Sequence, residues 1–221
     1  MEDVHKSLNN LTRYAISYFK ELKKRYGGGR ERKTEMTEFS KVLAKDVIVA
    51  NQNLYLNRKE GFVGYGGSLR KEENIGKCST MDDIIAFTRE GTMQVSRVAE
   101  KLFVGKNPVH VALFSKEEPI TYCLLYRDGK AGNVFAKKFQ VSGVTRDKSY
   151  SLTKGTSGSR VLFFAALEEG QKDPIIQIHL AEDSGARKRE IEFDFATIAV
   201  KGRAVLGNIV TKYKVAKVNK C

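Results

Sequence analysis

Val4, Leu8, Leu11, Ala15, Tyr18 and Leu22 recur at alternate spacings of four and three, with Ile16 and Phe19 widening the stripe. That spacing places side chains on one face of an α-helix. The pattern predicts one helix from Met1 to about Tyr26, roughly 39 Å long at 1.5 Å per residue. Gly27-Gly28-Gly29 ends it, because glycine loses the most entropy when held helical and readily takes the left-handed C-terminal conformation. Residues 27–45, with the run Arg30-Glu31-Arg32-Lys33-Thr34-Glu35, read as a charged connector. An apolar seam of this length must cover something. Either the helix packs on the rest of the chain, or it continues a helical region upstream and the sequence is a fragment.

From Asp46 onward the period changes. Short runs of β-branched and aromatic residues alternate with Gly, Asn and Asp turns, the pattern of β-strands. Strands are expected at Val47–Ala50, Leu54–Asn57, Gly61–Tyr65, Asp83–Thr88, Thr92–Arg97, Val109–Phe114, Thr121–Tyr126, Asn133–Phe139, Val161–Ala166, Ile175–His179, Lys188–Asp194 and Ile209–Val218. Hairpin turns are expected at 51–53, 58–61, 89–91, 127–129 and 183–185, each between two such runs.

Aligned under one another, these runs repeat. A strand, a turn with Gly, a basic strand and a polar excursion begin near 47, 84, 121 and 175, at steps of 37, 37 and 54. A period of this size is that of a blade, a small antiparallel sheet that buries its faces only against its neighbours. The expectation for 46–221 is an all-β, propeller-like ring of about four antiparallel blades, with Ile209–Val218 as a closing strand, preceded by the one N-terminal helix. A sandwich or barrel with coincidental spacing is the alternative.

Composition narrows the function classes. Of 221 residues, 41% are hydrophobic and only 3 are Pro, enough apolar material for a real core. No apolar run reaches the roughly 20 residues of a membrane helix, and the start lacks the basic and apolar regions of a secretory signal, so neither is expected. Cys78, Cys123 and Cys221 show no metal or disulfide spacing, and a reducing cytoplasm suits them. His5, His110 and His179 stand apart from one another and read as surface or core residues. The stretch 27–34 fails as a P-loop, having Arg32 where glycine is needed. The loop 155–160 meets neither GxGxxG nor GxSxG, and reads as a strand connection. No catalytic residue, metal site or cofactor is expected in this chain.

Charge is the feature left over. With 39 Lys+Arg against 26 Asp+Glu, the net charge is +13, and the basic residues fall at similar places in successive repeats. They are Arg58 and Lys59 with Arg70 and Lys71; Arg97 with Lys101 and Lys106; Lys137 and Lys138 with Arg146 and Lys148; Lys154 with Arg160; Arg187, Lys188 and Arg189; and Lys201, Arg203 and Lys212. A ring carrying cations at equivalent places in each blade makes a positive rim that a polyanion can follow by phosphate contacts alone. Duplex DNA is bent in this way, at a deformation cost offset by many charge contacts. The rival reading is a propeller that binds an acidic protein partner. RNA is less well supported, since Phe135 and Phe139 alternate as core positions do rather than forming a stacking face.

Tyr18-Phe19-Lys20-Glu21-Leu22-Lys23-Lys24-Arg25-Tyr26-Gly27, then Gly29-Arg30-Glu31-Arg32-Lys33-Thr34-Glu35-Met36, resembles the passage into the C-terminal domain in A subunits of bacterial type IIA topoisomerases. Tyr126-Arg127-Asp128-Gly129-Lys130, Val141–Lys148, Lys201-Gly202-Arg203-Ala204 and Gly207-Asn208 are similar to that domain's degenerate repeats, more in the manner of topoisomerase IV than of gyrase. The resemblance implies a β-pinwheel, a propeller-like fold whose blades exchange strands, which binds and bends duplex DNA on its basic edge and presents a segment to the enzyme's gate. It implies as partners the ATPase B subunit together with the rest of the A subunit. Cleavage with Mg²⁺ and ATP hydrolysis belong to those other parts, in a bacterial cytoplasm at the nucleoid. One departure stands out: 61–71 keeps a Gly-Gly with basic residues after it but not the box Gln-Arg-Arg-Gly-Gly-Lys-Gly of gyrase. Decatenation or relaxation is therefore expected rather than negative supercoiling.

Overall fold

A computed structural model describes residues 2–29, 51–118 and 120–221. The expected strand at 47–50 and most of the connector lie outside them. The chain divides into two units, 1–44 and 45–221.

In the first unit the expected single helix is two, α1 (Glu2–Asn9) and α2 (Leu11–Tyr26), with the break at Asn10 (φ −130°, ψ 51°). The sequence Asn9-Asn10 explains the break, because an asparagine side chain competes with the helix for backbone hydrogen bonds. At the far end the N–H of Gly27 donates to the carbonyl of Lys23 at 2.8 Å, closing the last turn where the glycine run begins. No side chain of α2 is buried, and Leu11 and Phe19 of the seam are 62% and 66% exposed.

The second unit is built of four successive hairpin-based repeats. The first supplies β1 (Gln52–Asn57), β2 (Phe62–Gly64) and β3 (Glu73–Cys78). The second supplies β4 (Asp83–Thr88), β5 (Thr92–Arg97), β6 (Leu102–Phe103) and β7 (Pro108–Phe114). The third has β8 (Thr121–Arg127), β9 (Val134–Gln140), β10 (Ser149–Ser151) and β11 (Arg160–Leu167). The fourth has β12 (Ile175–Leu180), β13 (Glu190–Asp194), β14 (Val200–Gly202), β15 (Asn208–Thr211) and β16 (Val215–Lys220).

Each repeat pairs its first two strands as an antiparallel hairpin and brings its last strand back beside the first. The strand in between leaves for the sheet before it. Thus β6 pairs with β2, β10 with β5, and β14 and β15 with β9. Among the described residues four sheets result, in the orders β3-β1-β2-β6, β10-β5-β4-β7, β11-β8-β9 followed by β14 and β15, and β13-β12-β16. The fold is a β-pinwheel of four blades that exchange strands, not a sandwich or a closed barrel. The segment 209–218, expected as one closing strand, is divided between two blades: β15 serves the third and β16 the fourth.

Burial follows from blade position. One core cluster lies between the first and second sheets, a second between the second and third, and a third between the third and fourth. In β4, Ile84 and Ala86 face the first cluster while Ile85 and Phe87 face the second; β8 sends Tyr122, Leu124 and Tyr126 one way and Cys123 and Leu125 the other. Strands buried on both faces read as unbroken apolar runs. In β12, by contrast, Ile176, Ile178 and Leu180 are buried while Gln177 and His179 alternate with them.

The hairpins close on glycines at positive φ, Gly61 (76°), Gly91 (80°) and Gly129 (72°). Two of these also anchor the exchanged strand of the next repeat, since Val104 N–H donates to Gly61 O at 2.9 Å and Leu152 N–H to Gly91 O at 2.8 Å.

Candidate nucleic-acid interface

Strand exchange decides where the cations go. Each lent strand lies at the edge of the receiving sheet, and its flanks carry the basic residues: Lys101 and Lys106 around β6, Arg146, Lys148 and Lys154 around β10, and Lys201, Arg203 and Lys212 around β14 and β15. Among the described residues no sheet precedes that of repeat one. Its equivalent excursion folds as a 3-10 turn at Gly67–Leu69 with Leu69 buried, leaving Arg70 and Lys71 exposed.

Lys59, Arg70, Lys71, Arg97, Lys101, Lys106, Lys148, Arg160, Arg187, Lys188, Lys201 and Lys212 are all exposed. No ion pair engages any of them among the described residues. Several cations lie over aromatic rings: Lys101 over Phe62 at 4.3 Å, Arg203 and Lys148 over Tyr150 at 4.2 and 5.6 Å, Lys154 over Phe135 at 5.0 Å and Lys212 over Tyr213 at 5.9 Å. Such contacts hold a cation near a surface without neutralising it. Phe62 and Tyr150 were not among the candidates; Phe62 fell within the expected strand 61–65, whereas Tyr150, in the three-residue β10, had no alternation to mark it.

Several candidates are already engaged. Arg58 grips Glu73 through two bonds of 2.6 and 2.9 Å, which raise the guanidinium pKa and hold the Glu73 carboxyl below its ordinary range. Arg146 bonds Asp83 at 2.8 and 3.1 Å. Arg203 donates to the carbonyls of Ser142 at 2.6 Å and Gly143 at 3.4 Å, and Arg189 and Lys154 make looser pairs with Glu182 at 3.7 Å and Asp128 at 3.9 Å.

Two candidates are inside the protein. Lys137 is 3% exposed, and its Nζ donates to the carbonyls of Leu152 at 2.6 Å, Arg203 at 2.7 Å and Val205 at 3.1 Å. Every ammonium hydrogen is used, so none remains for a phosphate, and burial lowers its pKa to about 8. Lys138, on the opposite face of β9, holds both oxygens of Asp173 at 3.0 Å and is buried too. The structure removes this pair from the accessible cations. β9 is a central strand covered on both faces, and a Lys-Lys pair there is a packing device rather than a surface one.

The loop 155–160 is a plain connection: Ser159 Oγ donates to Thr156 O at 2.7 Å and accepts from Gly129 N–H at 2.9 Å. His110 packs in a ring cluster with Phe87, Tyr122 and Phe164, and His179 lies between Glu190 and Asn219. No group of three metal-ligating side chains and no helix long and apolar enough to cross a membrane occurs among the described residues.

The same span that forms the four blades is matched by a family model. The Topoisomerase C-terminal domain, Bacteroidota, covers residues 53–221. The chain belongs to this topoisomerase C-terminal domain family. It is 26% identical over 154 residues to the A subunit of DNA topoisomerase 4 from Borreliella burgdorferi, an alignment that takes in 68% of this chain and 24% of that protein. The chain thus spans about a quarter of the length of that relative. A crystal structure of the C-terminal domain of DNA topoisomerase IV is also similar, with a TM-score of 0.44 and 15% identity over 78% of this chain and 62% of that one. In this topoisomerase C-terminal domain, the repeated edge cations are the feature of the site for which function must account.

Proposed function

We propose that this domain binds duplex DNA without sequence preference along its exchanged edge strands, bends it, and in the whole A subunit presents a segment to the gate during ATP-dependent decatenation or relaxation. The observation that carries this is the recurrence of exposed cations, free of ion pairs among the described residues, at the lent strands of three successive blades: Lys101 and Lys106 flank β6, Lys148 precedes β10, Lys201 lies in β14 and Lys212 follows β15. Contacts to phosphate from fixed, repeated positions fix the path of a duplex without reading its bases. Partners in this reading are duplex DNA and, within the enzyme, the ATPase B subunit with the rest of the A subunit, in a bacterial cytoplasm. In this reading cleavage and ATP hydrolysis, with their Mg²⁺ and ATP, lie in those other parts. The interface comprises the exposed set above, without Lys137 and Lys138.

The test is duplex binding across a salt series for the wild type and for Lys101→Glu/Lys148→Glu/Lys201→Glu, one change per exchanged strand. Each lost phosphate contact lowers the slope of log K against log salt by about 0.9, so the triple variant is expected to lose two to three slope units and at least 100-fold in affinity at low salt. An unchanged slope would refute the interface and favour an acidic protein as partner. Relaxed circular DNA religated in the presence of the domain should show no shift in linking number, in keeping with the missing gyrase box.

A further inference from the structure

Three of the four sheets end on a lent strand; the fourth ends on β13 itself, and among the described residues no strand covers its outer edge. Such an edge presents backbone N–H and C=O groups satisfied only by water, and is a ready template for a further strand. The side chains of β13 set it apart as well. The equivalent strands β2, β5 and β9 hold no carboxylate, whereas β13 carries Glu190, Glu192 and Asp194 at alternate positions and hence on one face. Across the hairpin these face His179, Gln177 and Ile175, so Glu192 and Asp194 have no basic side chain opposite them and Glu190 has the His179 ring, Nδ1 to Oε1 at 3.4 Å. The other face of β13, Ile191 and Phe193, packs on the core of the last blade. Beside Ile191 opens a groove of about 580 Å³ lined by Leu180 and Ile209 together with Arg187, Lys188 and Lys212.

We propose that the outer edge of β13 docks an extended segment of a partner protein that alternates basic and apolar side chains, added as the fourth strand of the last blade. The carboxylates demand cations on the outer positions of the incoming strand, because opposite charges directly across a strand pair attract. The cations around the groove exclude further cations from the inner positions and leave those to apolar side chains. The two requirements together specify alternation rather than mere basicity. The carboxylate edge of β13 is not one of the exchanged edges proposed for DNA and recognises the opposite charge, while the groove beside it shares Arg187, Lys188 and Lys212 with the cations proposed for DNA.

The probe is a fluorescein-labelled peptide, Lys-Ile-Lys-Val-Lys-Ile, titrated onto the full chain and followed by anisotropy and by amide hydrogen exchange. It should bind at least tenfold more tightly than Glu-Ile-Glu-Val-Glu-Ile or the block sequence Lys-Lys-Lys-Ile-Val-Ile, and slow exchange at 190–194. N-methylation of alternate amides along one edge of the peptide should abolish binding on the paired edge only. The exposed pair Glu190→Lys/Glu192→Lys should weaken the peptide at least tenfold without lowering the melting temperature or weakening DNA binding. Equal binding of the three peptides, protection elsewhere than 190–194, or self-association of the chain that protects these amides without peptide would each overturn the proposal. The peptide-binding, hydrogen-exchange and self-association readouts use no DNA, so their failure would leave the DNA reading standing.

Discussion

Replacing Lys137 with methionine tests the internal logic of the blades. Its Nζ ties the segment after β10, at Leu152, to the crossing between β14 and β15, at Arg203 and Val205, so one side chain staples two strand exchanges. Burial lowers its pKa from 10.5 to about 8. Between those values the unfolded chain holds a proton that the folded chain has released, so stability rises with pH across the window. At about 1.4 kcal/mol per pH unit, this displacement corresponds to a folding cost of about 3 kcal/mol that is fully present below pH 8 and relieved by pH 10.5. Lys137→Met removes that cost but also three charge-assisted hydrogen bonds, worth at least about 1.5 kcal/mol each. The variant should therefore be about 1–2 kcal/mol less stable than the wild type at pH 7. Because only the wild type gains stability as the ammonium deprotonates, the gap should widen to about 4–5 kcal/mol by pH 10.5. Urea denaturation of both proteins from pH 7 to 10.5 measures this, with the other lysines and tyrosines cancelling in the difference. A gap that stays level or narrows above pH 8 would refute the argument. Binding to duplex DNA should be the same for both proteins, since the ammonium reaches no surface.

Asp173→Ala should cost about 2–3 kcal/mol in urea, somewhat below the value for a fully buried pair, because it strands the Lys138 ammonium that Asp173 holds at 3.0 Å; DNA affinity should not fall. Gly207→Ala, at φ +97° with its new Cβ 2.4 Å from the carbonyl of Ala136, should lower the melting temperature by about 4–8 °C, on the order of 2 kcal/mol for a chain of this size. Thiol titration of the native protein should find one fast group, the exposed Cys221, and three after denaturation. Burial encloses Cys78 and Cys123 and pushes both thiols up, Cys123 to about 12.

What could be read from the chain was whatever short-range pattern carries. The Gly-closed hairpins, the first two strands of repeats two to four and the blade-sized period were all legible, because glycine at positive φ and side-chain alternation are local requirements. Even blade position leaves a local trace: Ile84-Ile85-Ala86-Phe87 and Tyr122-Cys123-Leu124-Leu125-Tyr126 are unbroken apolar runs from blades flanked on both sides, and Ile176-Gln177-Ile178-His179-Leu180 alternates. The strands that escaped were mainly the lent ones. β6, β10 and β14 are two or three residues long, too short to show alternation, and pairing with a sheet more than 35 residues back in the chain makes them strands. The same non-local pairing split 209–218 between two blades.

For the site, residue order alone establishes that the protein is strongly basic and that its cations recur with the repeat. Which of them meet solvent is settled by how the blades pack. Lys137 and Lys138 are adjacent and look alike in the chain, yet one ends among three carbonyls and the other on Asp173. Successive side chains of a strand point to opposite faces, and in a blade covered on both sides each face is an interior. A cation can lie inside only where distant backbone or a distant carboxylate comes to meet it; the carbonyls at 152, 203 and 205 are placed by strand exchange and Asp173 by the connection into the fourth blade, none of them by neighbours in sequence.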